Sequence, residues 1–587
     1  MKMFKNNLYV LKFVFKFCPL LVIFAILNIA SSVLLAVLKV QLIKETIELV
    51  MAGEEISILY KSVGLYLVLV LVTSFFKMFY TNYINPRYRI IFMKKMQHFL
   101  FSKVKNVDME MFDNPEFYDN YSRALREGTW MGMTVFNNIV RFLTSFLIVI
   151  ALGVIIASDF ILISIIVLSA IVNILAVNAI NKSWYIWSKQ TESERRMYNY
   201  VNRTFYRQRF AGEIKTTNIS NLLTTKYLES AEVINKKYAN THKKVVWLHA
   251  LHNLVKGLIE RGLVYIYLAY QLFKGYITIS IFTSSLNATF QFSSNFIDAI
   301  NILTTLKENS LYIDDFIWLV NYKGKLEGRK GLEIDKFEEL NIDSINFKYE
   351  NTDNFSIEDL SLRIKKGEKI ALVGLNGSGK TTLTKLILNF YLPSEGYLFV
   401  DGNKYDSIDQ KSLRNRYSVV FQDFQIYALS IGENILMRKI QSNEDEQKVW
   451  DALEMVGMKE KILKLDEGIY TQVTREFNRN GAVFSGGEVQ RIAIARVFAS
   501  DADMYILDEP TSALDPFSEE RINKLIIQNT KKAMIIIAHR LSTVIDCDVI
   551  YLMDKGKIIE KGTHEEMMKK NGLYSKMFNT QKNLYAK

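Results

Sequence analysis

Apolar residues crowd into the first half of the chain. They form six stretches near or above the roughly 20 residues that cross a bilayer as a helix. The stretches run about 15–39, 57–80, 134–157, 159–181, 247–273 and 276–306. The first is apolar enough to imitate a signal sequence. No small-residue cleavage site and soluble mature chain follow it, so it reads as a retained membrane helix. Only Ser158-Asp159 separates the third stretch from the fourth, whereas the connections after the second and fourth run about fifty and sixty-five residues. Those long connections lack apolar runs and read as helical, which carries spans two to five beyond the membrane.

Charge orients these segments. The long connections carry Arg87, Arg89, Lys94 and Lys95, then Arg195, Arg196, Arg203, Arg207 and Arg209. The loop after the first span carries Glu45, Glu48, Glu54 and Glu55 with one lysine. Cytoplasmic loops are the ones enriched in Lys and Arg, so the long connections and both ends of the membrane part are expected in the cytoplasm of a cell (plasma) membrane protein. The net charge of +12 lies mostly in these flanking loops, where anionic lipid headgroups account for it; nucleic acid is not an expected partner. With 587 residues, 49% of them hydrophobic, the chain is too long for one ordinary domain and rather apolar for a soluble one. Cys18 and Cys547 fall in different parts of the chain, and no disulfide is expected.

The second half has a different pattern. The apolar run Ile370–Val373, a predicted strand, leads into Gly374-Leu375-Asn376-Gly377-Ser378-Gly379-Lys380-Thr381 and then the predicted helix Leu383–Leu388. This is G-x-x-x-x-G-K-[ST] between a strand and a helix, the context a phosphate-binding loop requires. Glycine lets the backbone approach phosphate closely, and the helix start adds amides and a positive dipole end. Gly374, Asn376, Gly377, Ser378, Gly379, Lys380, Thr381 and Thr382 are therefore candidate nucleotide ligands. Lys380 is placed for the β and γ phosphates and the Thr381 hydroxyl for Mg²⁺. Asp508 ends the apolar strand Met504–Leu507 and can hold the same Mg²⁺; Glu509 follows and is the candidate to orient or deprotonate an attacking water.

Read together, these segments resemble an ABC-type ATPase, and the resemblance covers nearly the whole chain. Ser485-Gly486-Gly487 resembles the family signature, with Phe484 where Leu is usual and Glu488 where Gln is common. Gln422 is similar to the Q-loop glutamine, Asp515 in Ser512-Ala513-Leu514-Asp515 to the D-loop, and His539 to the switch histidine. Tyr349 resembles the aromatic that stacks on adenine. The resemblance implies ATP and Mg²⁺ as cofactors, and catalytic roles for Glu509, His539 and Gln422. It implies metal contacts from Thr381, Gln422 and Asp508, and an ATP site completed by another chain's signature.

The implied architecture is multi-domain: a six-helix transmembrane domain of the domain-swapped (type IV) exporter fold, then an α/β P-loop ATPase. The expected boundaries are 1–320 for the membrane domain, 321–340 for a linker and 341–587 for the ATPase. A coupling helix is expected at Phe112–Asp119, begun by Pro115, and a second within 204–219 around Gly212-Glu213-Ile214-Lys215. The chain starts almost directly at the first span, so an N-terminal protease domain is not expected. The expected partner is a second copy, or a related half-transporter.

The cargo is less legible. The run Thr474–Gly481 departs from the acidic segment that drug and lipid exporters carry before the signature. It resembles instead the exporters of ribosomally made antimicrobial peptides. In span six, Asn287, Gln291, Ser294, Asp298 and Asn301 fall on one stripe about 80° wide, which lipid would not tolerate. Lys256 and Glu260 form an i, i+4 pair in span five beside His249 and His252. Both faces are expected to line a transport cavity; helix–helix contacts or a local ion pair are the alternatives. The expectation is an exporter of a peptide or a small hydrophobic compound. The alternatives are a lipid flippase, a siderophore or metal-chelate importer on the same fold, and a membrane ATPase sensor without transport.

Overall fold

The computed structural model describes residues 2–156, 159–350, 352, 354–510 and 516–585. The chain divides into two units. One comprises Met1–Lys103 and Asp119–Asn321, the other Val104–Tyr118 and Tyr322–Lys587.

All the regular secondary structure among the first unit's described residues is helical. Among the described residues, four helical segments are long and apolar enough to cross a membrane: Pro19–Ala52, Ile56–Val104, Asn120–Ile156 and Phe160–Gln190. Pro115–Ile156 is a single helix of 42 residues. At 1.5 Å per residue it is about 63 Å long, twice the hydrocarbon core of a bilayer. The predicted fifth and sixth spans lie on Ile219–Phe273 and Ile279–Asn321, more polar helices that are not among those four. The first of these widens to a π turn at Gly257–Leu263, and the second apolar segment does so at Tyr80–Ile84. Leu152, Leu162, Val264, Leu268 and Leu286 pack together as a buried apolar seam between these helices.

The second unit is built on two sheets. Its strands are β1 Glu339–Phe347, β2 Ile357–Lys365, β3 Lys369–Gly374, β4 Glu395–Val400, β5 Asn403–Lys404, β6 Tyr417–Val420, β7 Met504–Asp508, β8 Ala533–Ile537, β9 Val549–Asp554 and β10 Lys557–Gly562. The antiparallel sheet runs β2-β1-β4-β5, and the larger sheet runs β10-β9-β3-β8-β7-β6 with only β10 antiparallel. The central strands are uninterrupted apolar runs because both faces are covered. Alternate residues point to opposite faces. Ile370, Leu372, Ile506 and Ile535 enter one core, and Ala371, Val373, Leu507 and Ile536 enter the other.

Segment 104–118 packs as part of this second unit. The Asp108 carboxylate is buried and accepts from the Tyr322 hydroxyl (3.0 Å) and from the amides of Lys325 (2.6 Å), Leu326 (3.1 Å) and Glu327 (2.8 Å). The short helix of this segment is Met109–Asp113, not a turn begun by Pro115. Asn114 is extended (φ −92°, ψ 115°), as a residue before proline must be, and Pro115 instead opens the long helix. In the other long connection a short helix, Ala211–Thr216, coincides with the Gly212–Lys215 run and is exposed except at half-buried Ile214.

Candidate functional site

Strands β3, β8, β7 and β6 are parallel neighbours, so their C-terminal ends share one sheet edge. Each end delivers a candidate residue: the phosphate loop after β3, His539 after β8, Asp508 and Glu509 at β7, and Gln422 after β6. Ligands of open α/β sheets gather at this edge. Together these elements line a cleft of about 710 Å³ that includes Asn376–Thr382, Gln422, Glu509 and His539.

The phosphate loop is held from below. Gly374 has φ +152°, and a Cβ there would meet the Met553 carbonyl at 2.2 Å. Gly379, at φ +102°, opens the helix Lys380–Ile387. The Lys380 ammonium is buried and donates to the carbonyls of Gly374 (2.9 Å) and Leu375 (3.0 Å). Burial pushes its pKa down, against the opposing pull of the Glu509 and Asp508 carboxylates.

Glu509 sits at the strand end in a left-handed conformation (φ 48°), its amide bonded to the Ile537 carbonyl at 3.0 Å. That turn presents the carboxylate between two partners. His539 Nε2 lies 2.5 Å from Oε1, and Gln422 Nε2 donates to Oε2 at 3.2 Å. Asp508 is 2% exposed, and its Oδ1 has no hydrogen-bond partner. Burial raises its pKa to about 6, with the Glu509 charge adding to the rise and Lys380 opposing it. A buried, orphaned carboxylate oxygen beside the Thr381 hydroxyl, which hydrogen-bonds the same carboxylate, suits a hard divalent cation.

The signature stands elsewhere. Ser485 caps the helix Gly486–Phe498 in a reciprocal box: its hydroxyl accepts from the Glu488 amide, and its own amide donates to Glu488 Oε2 at 3.0 Å. Glu488 is also paired with Lys461, whose ammonium lies over the Phe484 ring at 5.6 Å. Ser485 and Gly486 are exposed, and none of Ser485, Gly486 and Gly487 lines the cleft. Nor does Tyr349, which packs edge-on against Phe347 and Tyr391 and shares a hydrogen bond with Thr382 at 3.2 Å. Asp515 and the rest of its predicted loop lie outside the described residues.

Six cleft residues had no part in the sequence reading: Thr352, Asn354, Phe355, Ser356, Lys555 and Gly556. Lys555-Gly556 is the turn between β9 and β10, with φ 46° and 82°, and the Gly556 amide donates to the Ser378 carbonyl at 3.0 Å. The sequence signal was available: a glycine-containing dipeptide, Lys555-Gly556, between two strand runs marks a hairpin.

These elements are the parts of a nucleotide-hydrolysing cassette. Residues 357–512 match the family model described as ABC transporter. The chain resembles exporter-type ABC half-transporters. It is 27% identical over 506 residues, 85% of this chain and 81% of the other, to the subtilin transport ATP-binding protein SpaT of Bacillus subtilis. An ATP-binding/permease protein of Staphylococcus aureus named for multidrug export is 36% identical over 255 residues, 43% of each chain. Among solved structures, a bacterial Atm1-family ABC exporter with ATP bound matches the fold with a TM-score of 0.76, at 22% identity over 96% of this chain and 98% of that one. The transporter is thus a membrane protein that binds ATP and couples its hydrolysis to transport, and half-transporters of this fold typically dimerise.

In the membrane unit, Gln291 Nε2 donates to Asn287 Oδ1 at 2.9 Å, and Ser294 and Asp298 are exposed on the same helix. Lys256 lies 3.8 Å from Glu260, and Glu260 accepts from Ser169 at 3.4 Å. The Lys256–Glu260 pair is therefore tied to the neighbouring helix Phe160–Gln190, while the span-six stripe stays open on its outer residues.

Proposed function

We propose that two copies of this chain form an exporter in the cell membrane that expels a ribosomally made peptide of the lantibiotic class, with the ATPase units in the cytoplasm. The likeness to the subtilin transporter carries the reading, because it runs over 85% of the chain and so reaches well beyond the ATPase into the membrane part. The match to the protein named for multidrug export covers 43%.

Two observations support a dimer. Ser485 and Gly486 are exposed and absent from their own chain's cleft, as they must be if they close on the ATP of a second copy. The short helix Ala211–Thr216 is also left exposed, whereas segment 104–118 is packed within its own chain's ATPase unit. At each composite site the phosphate-loop amides and Lys380 would hold the triphosphate, and Tyr349 the adenine. Thr381, Gln422 and Asp508 would hold Mg²⁺, which screens the phosphate charge. Glu509 would orient or deprotonate the attacking water, steadied by His539 and Gln422. Asn287, Gln291, Ser294 and Asp298 would face the cargo, with Lys256 and Glu260 nearby.

Inverted membrane vesicles carrying the transporter should accumulate a lantibiotic-type peptide when ATP is added, and should not when Glu509→Gln replaces the native chain. Accumulation in right-side-out vesicles would reverse the direction. Steady ATP hydrolysis without flux of such a peptide would remove it as cargo.

A further inference from the structure

The aromatic cluster that holds Tyr349 also touches the segment linking the two membrane helices 56–104 and 115–156. Tyr391 is 3% exposed and lies just beyond the phosphate-loop helix Lys380–Ile387. Its ring meets Tyr349 edge-on, with centroids 5.5 Å apart and planes at 80°, and meets Phe347 at 5.6 Å and 68°. The Lys385 ammonium lies 5.5 Å from the centroids of both tyrosine rings, so one cation holds the two together. The Tyr391 hydroxyl donates to the carboxylate of Asp113, the last residue of the short helix Met109–Asp113. On its other side, Tyr349 is bonded to Thr382, next to Thr381 in the phosphate loop. An unbroken series of contacts therefore runs from Asp113 through Tyr391 and Tyr349 to the nucleotide cleft.

In this arrangement Tyr349 does not line the cleft. To stack on a base it must leave the edge of Tyr391. The cost of that move depends on how firmly Tyr391 is held, and a hydrogen bond to a carboxylate is among the firmer restraints on a buried hydroxyl. We propose that Tyr391 is a positioning residue that ties base stacking at Tyr349 to the docking of segment 109–113 by Asp113. This rests on Tyr349 being the residue that stacks on adenine. A protein whose binding-competent state is only partly populated binds its ligand more weakly by that fraction. The Asp113–Tyr391 bond lowers the fraction of Tyr349 free to stack. By reciprocity, ATP binding loosens segment 109–113 to the same degree.

The test is ATP hydrolysis by the purified full-length transporter in lipid nanodiscs, over a range of ATP concentrations. Asp113→Ala, Tyr391→Phe and the double variant are compared, each with Tyr349 present and with Tyr349→Ala. Either single change should lower KM for ATP by roughly three- to tenfold, the span of one such bond, with kcat changed less than about twofold. The double variant should match the singles, because both remove the same bond. In the Tyr349→Ala background neither change should move KM. An additive double variant, an unchanged KM, or an effect that persists without Tyr349 would overturn the relay. If Tyr349→Ala by itself leaves KM for ATP unchanged, the stacking role has failed; if it raises KM while the other changes do nothing, only the relay has. The two variants reach the bond from opposite ends, so misfolding of one leaves the other to decide.

Discussion

His539 Nε2 approaches Glu509 Oε1 to 2.5 Å, and the two residues come from adjacent parallel strands. The pairing fixes the carboxylate at the sheet edge, beside the phosphate loop. Glu509→Gln should keep ATP bound and lower turnover by roughly a hundredfold or more, the usual loss when a general base is removed. His539→Ala should also lower kcat, by leaving Glu509 without its nearer partner. Turnover and retained nucleotide, measured together on each variant, check this; undiminished hydrolysis in Glu509→Gln would refute Glu509 as the base.

Asp508 makes a prediction about pH. Its pKa of about 6 in the folded chain lies above the ordinary 3.8, chiefly through burial. Between those values the folded state holds a proton that the unfolded state has released. Stability without nucleotide therefore falls as pH rises through this window, and the cost of the buried charge is fully present above about 6. Asp508→Asn should raise the nucleotide-free melting temperature at pH 7.5 by about 2–4 °C, an effect of roughly 1–3 kcal/mol, and should change it little near pH 4. The same substitution should abolish Mg²⁺-dependent hydrolysis. In the native protein, hydrolysis should fall steeply as pH drops below about 6, since a metal ligand must be ionised. Thermal melts and pH–rate profiles read both effects.

Glu488 separates capping from chemistry. It accepts from the Ser485 amide and pairs with Lys461, and this pairing lowers its pKa more than any other contact. Glu488→Gln retains an acceptor for the Ser485 amide and should keep near-native stability. Glu488→Ala loses the cap and strands Lys461, and should cost about 1 kcal/mol. Melting curves of the two variants, compared with their ATPase rates, show whether the residue acts through the helix start alone.

The stripe on Ile279–Asn321 is testable through cargo. If Gln291 and Asp298 face the transported peptide, Asp298→Ala and Gln291→Ala should weaken peptide-stimulated ATPase while leaving the basal rate within about twofold. Equal stimulation in both variants would assign the stripe to helix contacts.

Sequence spacing carried the ATP site further than the membrane unit. Gly374–Thr381, Asp508, Glu509 and His539 were legible because each lies one or two residues beyond an apolar strand, and parallel pairing brings such ends to one edge. Lys555-Gly556 reaches the same cleft through a hairpin distant in sequence, and its contact with Ser378 depends on how β9 lies against β3. Tyr349 could be read as an aromatic near the loop, but its packing against Tyr391 depends on tertiary neighbours. The predicted fifth and sixth spans fall on the more polar helical segments Ile219–Phe273 and Ile279–Asn321, which are not among the four segments long and apolar enough to cross a membrane. Nothing in their periodicity told that Glu260 would meet Ser169, because a polar face looks the same whether it meets water or another helix.

The Asp108 staple bears on how transporters of this kind can be recombined. Its carboxylate serves the amide of a residue 217 positions downstream. An ATPase fragment cut at Tyr322 would leave behind the side chain that caps its own first turn, and Asp108 would lose all four of these donors. A working chimaera would therefore need to carry Val104–Tyr118 together with the ATPase, so the natural unit of exchange between two such proteins is discontinuous in the gene.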